Sequence, residues 1–254
     1  MFPHSEEHLM KPFLDDKFDE RFKEPLNQLQ WLPWVGRNYL QCPTGRKMLI
    51  VGESHYVPAN ENAEDGYDAK TWTRMFILKE GLKQVPWCCG NKVNPLISNT
   101  EKVIIWDDAK ATDEFKRKFW SSVAYFNIIQ RLLTSRNSRP SYTDWELGWK
   151  VFFTVEEILR PDIVLFCGVE ASKQISFFEK ALHDLNYSHS GIIRHPKVGN
   201  TSPRTTIINI ENRYSIPVVF IKHPSKCFPV HYWAEFLFSQ IPDYLQWICS
   251  ENKE

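Results

Sequence analysis

No stretch of this sequence approaches the ~20 consecutive apolar residues of a membrane-spanning helix. The first residues, Met-Phe-Pro-His-Ser-Glu-Glu, carry neither a basic region nor an apolar core, so they do not match a secretory signal. Six cysteines in 254 residues are too few for a disulfide scaffold. They include one adjacent pair, Cys88-Cys89, and no Cys-x-x-Cys, so neither a structural zinc nor an iron–sulfur cluster is expected. Net charge is also missing, with 31 basic residues against 31 acidic ones. That is not the balance of a protein held to nucleic acid by bulk charge. No repeat, low-complexity tract or linker divides the chain. These absences leave a single domain over 1–254, without membrane, metal or cofactor, and a cytoplasmic monomer is expected.

What is present suits a sizeable core: 43% hydrophobic and 14% aromatic residues. Charge is unevenly placed. Residues 53–68 hold Glu53, Glu61, Glu64, Asp65 and Asp68 with no Lys or Arg. Residues 187–226 hold Arg194, Lys197, Arg204, Arg213, Lys222 and Lys226 against Glu211 alone. Such asymmetry marks either a binding face or ordinary solvated loops.

Four apolar runs end near Val51, Phe126, Cys167 and Ile221. Uninterrupted apolar runs of this length are the pattern of strands buried on both faces. Helical patterns separate them. Trp145, Trp149, Phe152, Val155 and Leu159 recur at spacings of 4, 3, 3 and 4, with Thr143 and Glu146 as a capping box. Further helices are expected over 69–82, 170–185 and 232–240, and one kinked or two short helices over 13–35. Val103–Trp106 reads as an edge strand or an irregular segment, and 187–214 as a hairpin insertion. Alternating strands and helices give a three-layer α/β/α fold around a four-stranded parallel sheet.

Ligand crevices in such sheets lie past the carboxyl ends of the strands. There the first run passes into Gly52-Glu53-Ser54-His55-Tyr56, the second into Asn127, the third into Gly168 and the fourth into Lys222-His223-Pro224-Ser225. In this order the motifs resemble the uracil-DNA glycosylase superfamily, whose family 1 strands end in Gly-Gln-Asp-Pro-Tyr, Leu-Leu-Asn, Leu-Trp-Gly and His-Pro-Ser. Gly148-Trp149, ahead of the third strand, is also similar. The resemblance covers about residues 46–240. It implies the strand order 2-1-3-4, DNA as partner, and hydrolysis of the N-glycosidic bond of uracil or a related damaged base.

The same resemblance assigns roles. Asn127 would read the base edge, since an amide both donates and accepts. Tyr56 would crowd the pyrimidine 5-position, and Tyr67, Trp72 or Phe76 would stack on the base. Gly168 would let the third strand turn at the crevice floor. His223 would donate to the leaving base, an oxyanion-hole-type role. Lys222, Ser225, Lys226 and Phe228 would contact DNA, phosphates fixing position without reading sequence. The sequence departs from family 1 at three places. Ser54 stands where the catalytic aspartate is expected and His55 where proline is. Cys227, next to Phe228, takes the place of the wedge leucine. Glu53 is then the acid left within the first motif, as in branches that carry glutamate after the glycine.

Two other functions fit parts of the pattern. A non-catalytic nucleobase- or nucleic-acid-binding module would keep the fold without the aspartate. A serine hydrolase would use Ser54, Asp162 and His223, which stand in the chain order of an α/β-hydrolase triad. Against it, position 56 is Tyr where the nucleophile elbow needs Gly, and Asp162 precedes its strand.

Overall fold

Along Met48–Val51 alternate side chains feed two different cores. Met48 and Ile50 join one apolar cluster, and Leu49 and Val51 the other. An element buried on both faces has no room for polar residues, which is why this run is unbroken. The computed structural model describes residues 7–23, 29–56, 70–83, 94–107, 111–135, 137–210, 214–225 and 227–250.

In chain order the elements begin with two single helical turns, α1 (Glu7–Met10) and α2 (Asp19–Phe22), and a two-residue strand, β1 (Trp34–Val35). Strand β2 (Met48–Gly52) follows, then α3 (Trp72–Phe76), which continues into a π-helical turn over Ile77–Gly81. Next come α4 (Pro95–Ile105), α5 (Asp113–Ser122), β3 (Val123–Asn127), α6 (Tyr142–Leu159) and β4 (Ile163–Cys167). A 3₁₀ turn at Ala171–Lys173 leads into α7 (Ile175–Asp184). The chain then forms β5 (Tyr187–His189), β6 (Ile193–Arg194), β7 (Arg204–Ile210) and β8 (Tyr214–Ile221), and ends with α8 (Val230–Gln240) and α9 (Pro242–Ser250).

The fold is mixed α/β, and its sheet is larger than expected: eight strands among the described residues rather than four. The path runs β1-β3-β2-β4-β8-β7-β5, with β6 paired to β7. β3, β2, β4 and β8 pair in parallel. β1 adds an antiparallel edge on one side, and β7, β5 and β6 an antiparallel extension on the other. The first apolar cluster packs α4, α5, α8 and α9 on one face, and the second packs α6 and α7 on the opposite face.

Several local expectations need correction. Val103–Ile105 is the end of α4, and Trp106 is its left-handed cap, φ 52°. The helix starts with Asn94, whose side chain accepts from the Leu96 N–H, followed by Pro at the first position. The capping box of α6 is formed by Ser141 and Asp144, two residues ahead of Thr143 and Glu146. The hairpin insertion does not stop at Tyr214, because β7 pairs with β8 in unbroken antiparallel register from Arg204↔Phe220 to Ile210↔Tyr214. Among the described residues no helix is long and apolar enough to cross a membrane.

Candidate functional site

Parallel pairing brings the four polar strand ends to one edge. Gly52 lies opposite Asn127, and Cys167 opposite Ile221. Val51 pairs with Phe166, so these four residues form one row across the sheet. Beyond it the first motif stays extended, held by backbone bonds from Ile128 to Gly52, Ile129 to Glu53 and Leu133 to His55. Glu53, Gly168 and His223 thus leave the sheet at the same edge, past the carboxyl ends of the strands.

Glu53 lies in a narrow crevice with Gly52, Ile128, Trp145, Phe166, Gly168 and Ala171. Burial pushes its carboxyl above the ordinary glutamate range. The Arg139 guanidinium pulls it down and the neighbouring Glu170 adds to the rise. Gly168 has φ +156°, a conformation that side-chain-bearing residues rarely adopt, and a Cβ there would stand 4.0 Å from Glu53 Oε2. The crevice has room for about 10 Å³, near the minimum for one water.

Asn127 faces the other side of the sheet, with Tyr125, two residues before it on the same strand face. It is 2% exposed. Its Oδ1 accepts from the Tyr125 hydroxyl at 2.8 Å, and its backbone carbonyl accepts from Gln130 Nε2 at 2.5 Å. The amide lies over Gly52: a Cβ on that residue would be 2.0 Å from Asn127 Oδ1 and 2.4 Å from the Tyr125 oxygen. Glycine is required here by close approach. Asn127 and Glu53 therefore flank Gly52 on opposite sides and do not share the crevice.

His55 is walled off from this edge. Its ring meets Trp31 edge-on at 4.9 Å, with Phe76 at 5.8 Å and Trp72 at 6.3 Å. Nε2 is 3.0 Å from Thr73 Oγ1. Burial lowers its pKa to about 3, so it stays neutral. Two of the expected base-stacking rings, Trp72 and Phe76, are turned onto His55. Tyr67, the third, lies outside the described residues. Tyr56 is half-buried and forms an isolated parallel bridge with Leu133.

His223 is half-buried, and its imidazole is held below the ordinary range by burial. It forms no ring hydrogen bond to the described residues. Its backbone carbonyl accepts from the Ser225 N–H at 2.7 Å. Asn99 of α4 donates to the carbonyls of Pro224 and Ser225, at 3.2 and 3.0 Å, and so fixes the loop. Lys222 donates to the Cys227 carbonyl at 3.0 Å. Cys227 is exposed, with φ 58°. Phe228, expected at DNA, is corrected: it is 8% exposed and stacks on Trp233 at 5.7 Å, within the core. Lys226 lies outside the described residues.

The serine-hydrolase triad is not assembled. Ser54 Oγ is buried without a hydrogen-bond partner among the described residues. Asp162 accepts from the Lys47 N–H at 2.9 Å, at the opposite end of β4. Nor does any cluster of three His, Cys, Asp or Glu side chains among the described residues suit a metal. The thiol of Cys167, pushed up to about 12 by burial, lies 3.9 Å from Thr100 Oγ1 and is no nucleophile at neutral pH.

Sequence reasoning missed Tyr125, Thr73, Trp31 and Arg139. The period of two along β3 pointed to Tyr125 as Asn127's neighbour. Nothing local pointed to the others, which arrive from distant segments. No protein-family model matches the chain, and no curated protein matches it either.

Proposed function

We propose that this protein is a uracil-DNA glycosylase-like enzyme that hydrolyses the N-glycosidic bond of uracil or a related damaged base in DNA. The observation that carries this reading is that the strands leading into Glu53, Asn127, Gly168 and His223 run parallel and finish at one edge of the sheet. The neighbour order β3-β2-β4-β8 supports the superfamily resemblance as well.

Breaking the bond builds positive charge on the sugar and negative charge on the base. A carboxylate stabilises the first or orients water, and a donor stabilises the second. Glu53 supplies the carboxylate. Ser54 has no charge, and its hydroxyl serves at most to hold water. His223, kept neutral by burial, carries one ring N–H for the base, as a neutral imidazole does when it polarises a carbonyl. Substrates with loose or single-stranded DNA are favoured, because flipping costs least there and Cys227 is a short wedge.

A second reading, a non-catalytic nucleobase- or nucleic-acid-binding module, is favoured by two observations. The Asn127 amide is already engaged by Tyr125, and the crevice at Glu53 is far smaller than a base. Alkaline cleavage of uracil-, hypoxanthine- and mismatch-containing oligonucleotides decides between them. Base release that is lost in Glu53→Gln and His223→Ala supports the enzyme. No release from any substrate replaces it with the binding module, and full activity of Glu53→Gln removes Glu53 from the mechanism.

A further inference from the structure

Arg194 of β6 stands directly opposite Arg204 of β7. Directly opposed residues of an antiparallel pair place their side chains on one face with Cβ atoms ~5 Å apart, and like charges so placed repel. Arg204 donates to the Ser172 hydroxyl at 3.2 Å. Neither guanidinium has a carboxylate partner among the described residues. The nearby Glu170 is closed onto Lys173 at 2.8 Å.

Their position matters. Arg204 pairs with Phe220, which pairs with Phe166 of the crevice wall. Ser172 follows Ala171, another crevice residue. Arg204 thus reaches, through Ser172, the outer end of the crevice lining, and Arg194 stands one strand further out. On the other face of the same hairpin lies a groove of about 570 Å³ whose lining includes Lys197, Glu235, His195, Tyr232 and Phe236, so it carries both signs of charge and is not part of the arginine pair. Tyr232 is 62% exposed.

We infer that Arg194 and Arg204 form a backbone-phosphate clamp that holds a nucleic-acid strand across the sheet edge beside the crevice. A phosphate between two guanidinium forks turns their mutual repulsion into paired, bidentate attraction. This assignment rests on the proposal that the substrate is nucleic acid, and it adds a strand path that Lys222 and Ser225 do not provide.

The test is fluorescence anisotropy with a labelled oligothymidylate that contains no damaged base, across a series of salt concentrations. In the double variant Arg194→Gln/Arg204→Gln, the slope of log K against log salt should shrink by about 0.7 per lost phosphate, about fivefold weaker binding at 0.1 M salt. The double Lys variant should keep the slope. Arg46→Gln, at the opposite end of the sheet, should leave both slope and affinity unchanged. An unchanged slope in the Gln variant overturns the clamp, as does wild-type binding without salt dependence. An equal loss in Arg46→Gln also overturns it, reducing the effect to bulk charge. Displacement of the strand by inorganic phosphate at constant ionic strength would make it a free-anion site instead. Base release plays no part in this measurement, so an inactive protein with the expected slopes retains the clamp and loses only the glycosylase assignment.

Discussion

The aromatic enclosure of His55 predicts a specific loss of stability in mild acid. The imidazole is 6% exposed, and burial lowers its pKa from 6.5 to about 3. In the unfolded chain it regains its ordinary pKa, so between those values the unfolded state binds the proton that the folded state refuses. Stability contributed by the neutral ring is thus fully present above pH 6.5 and is lost as pH falls towards 3. The slope is ~1.4 kcal/mol per pH unit. From pH 6.5 to pH 5 the loss is about 2 kcal/mol. Urea unfolding of the wild type and of His55→Gln at both pH values isolates this contribution. Glutamine keeps a polar group for Thr73 Oγ1 but does not titrate. The variant is destabilised at both pH values by imperfect packing among Trp31, Trp72 and Phe76, a constant that cancels in the difference. The wild type should lose about 2 kcal/mol more than the variant on going to pH 5. Parallel losses would show that the ring reaches solvent in the folded protein and refute its enclosure.

Three further outcomes follow from the strand ends. Gly52→Ala puts a methyl group 2.0 Å from Asn127 Oδ1, so urea unfolding should show a loss of about 1–3 kcal/mol from overpacking. Asn127→Ala leaves the Tyr125 hydroxyl, in a residue 1% exposed, without its acceptor. It should cost about 1–3 kcal/mol of stability even without ligand, whereas Tyr125→Phe should cost less and tighten uracil binding in calorimetry by freeing the amide. Burial raises the Glu53 carboxyl and lowers the His223 imidazole. Base release should therefore rise with pH through a limb above the ordinary glutamate range, with no fall near pH 6.5, and Glu53→Gln should gain stability at pH 7 but not at pH 4.

The parallel strands were legible because physics leaves them little choice. Ile163–Cys167 is apolar throughout, since each of its side chains enters one of two cores. The short flanking strands carry no such signal. Trp34–Val35 is two residues long, and it becomes β1 only because Tyr125 and Ala124 present an open edge to it. Val103–Ile105 shows the reverse error. Its β-branched residues suit a strand, but Asn94-Pro95 had already started a helix whose apolar face the sheet then covers. In α6 both Ser141…Asp144 and Thr143…Glu146 fit the box pattern. Asp144 is also gripped by Arg131, with bonds of 2.6 and 2.7 Å, and that contact is invisible in local sequence.

At the site, the edge was legible and the two faces were not. Strand alternation places Tyr125 and Asn127 together, yet it cannot say on which side of the sheet Glu53 settles once the ladder ends. In the structure the carboxylate and the amide stand on opposite sides of Gly52, and Asn127 Oδ1 fills the space that any larger residue there would need. A base touching both groups has to lie across the strand end, over the glycine. To meet it, Asn127 must exchange its bond from Tyr125 for bonds to the base edge. Giving up one neutral hydrogen bond costs ~1 kcal/mol net, and the base returns as much for each one it forms. With a donor and an acceptor both satisfied on the base, the exchange is favourable. On the proposed function, the engaged amide is a resting state, held in register by Tyr125 until a base competes for it.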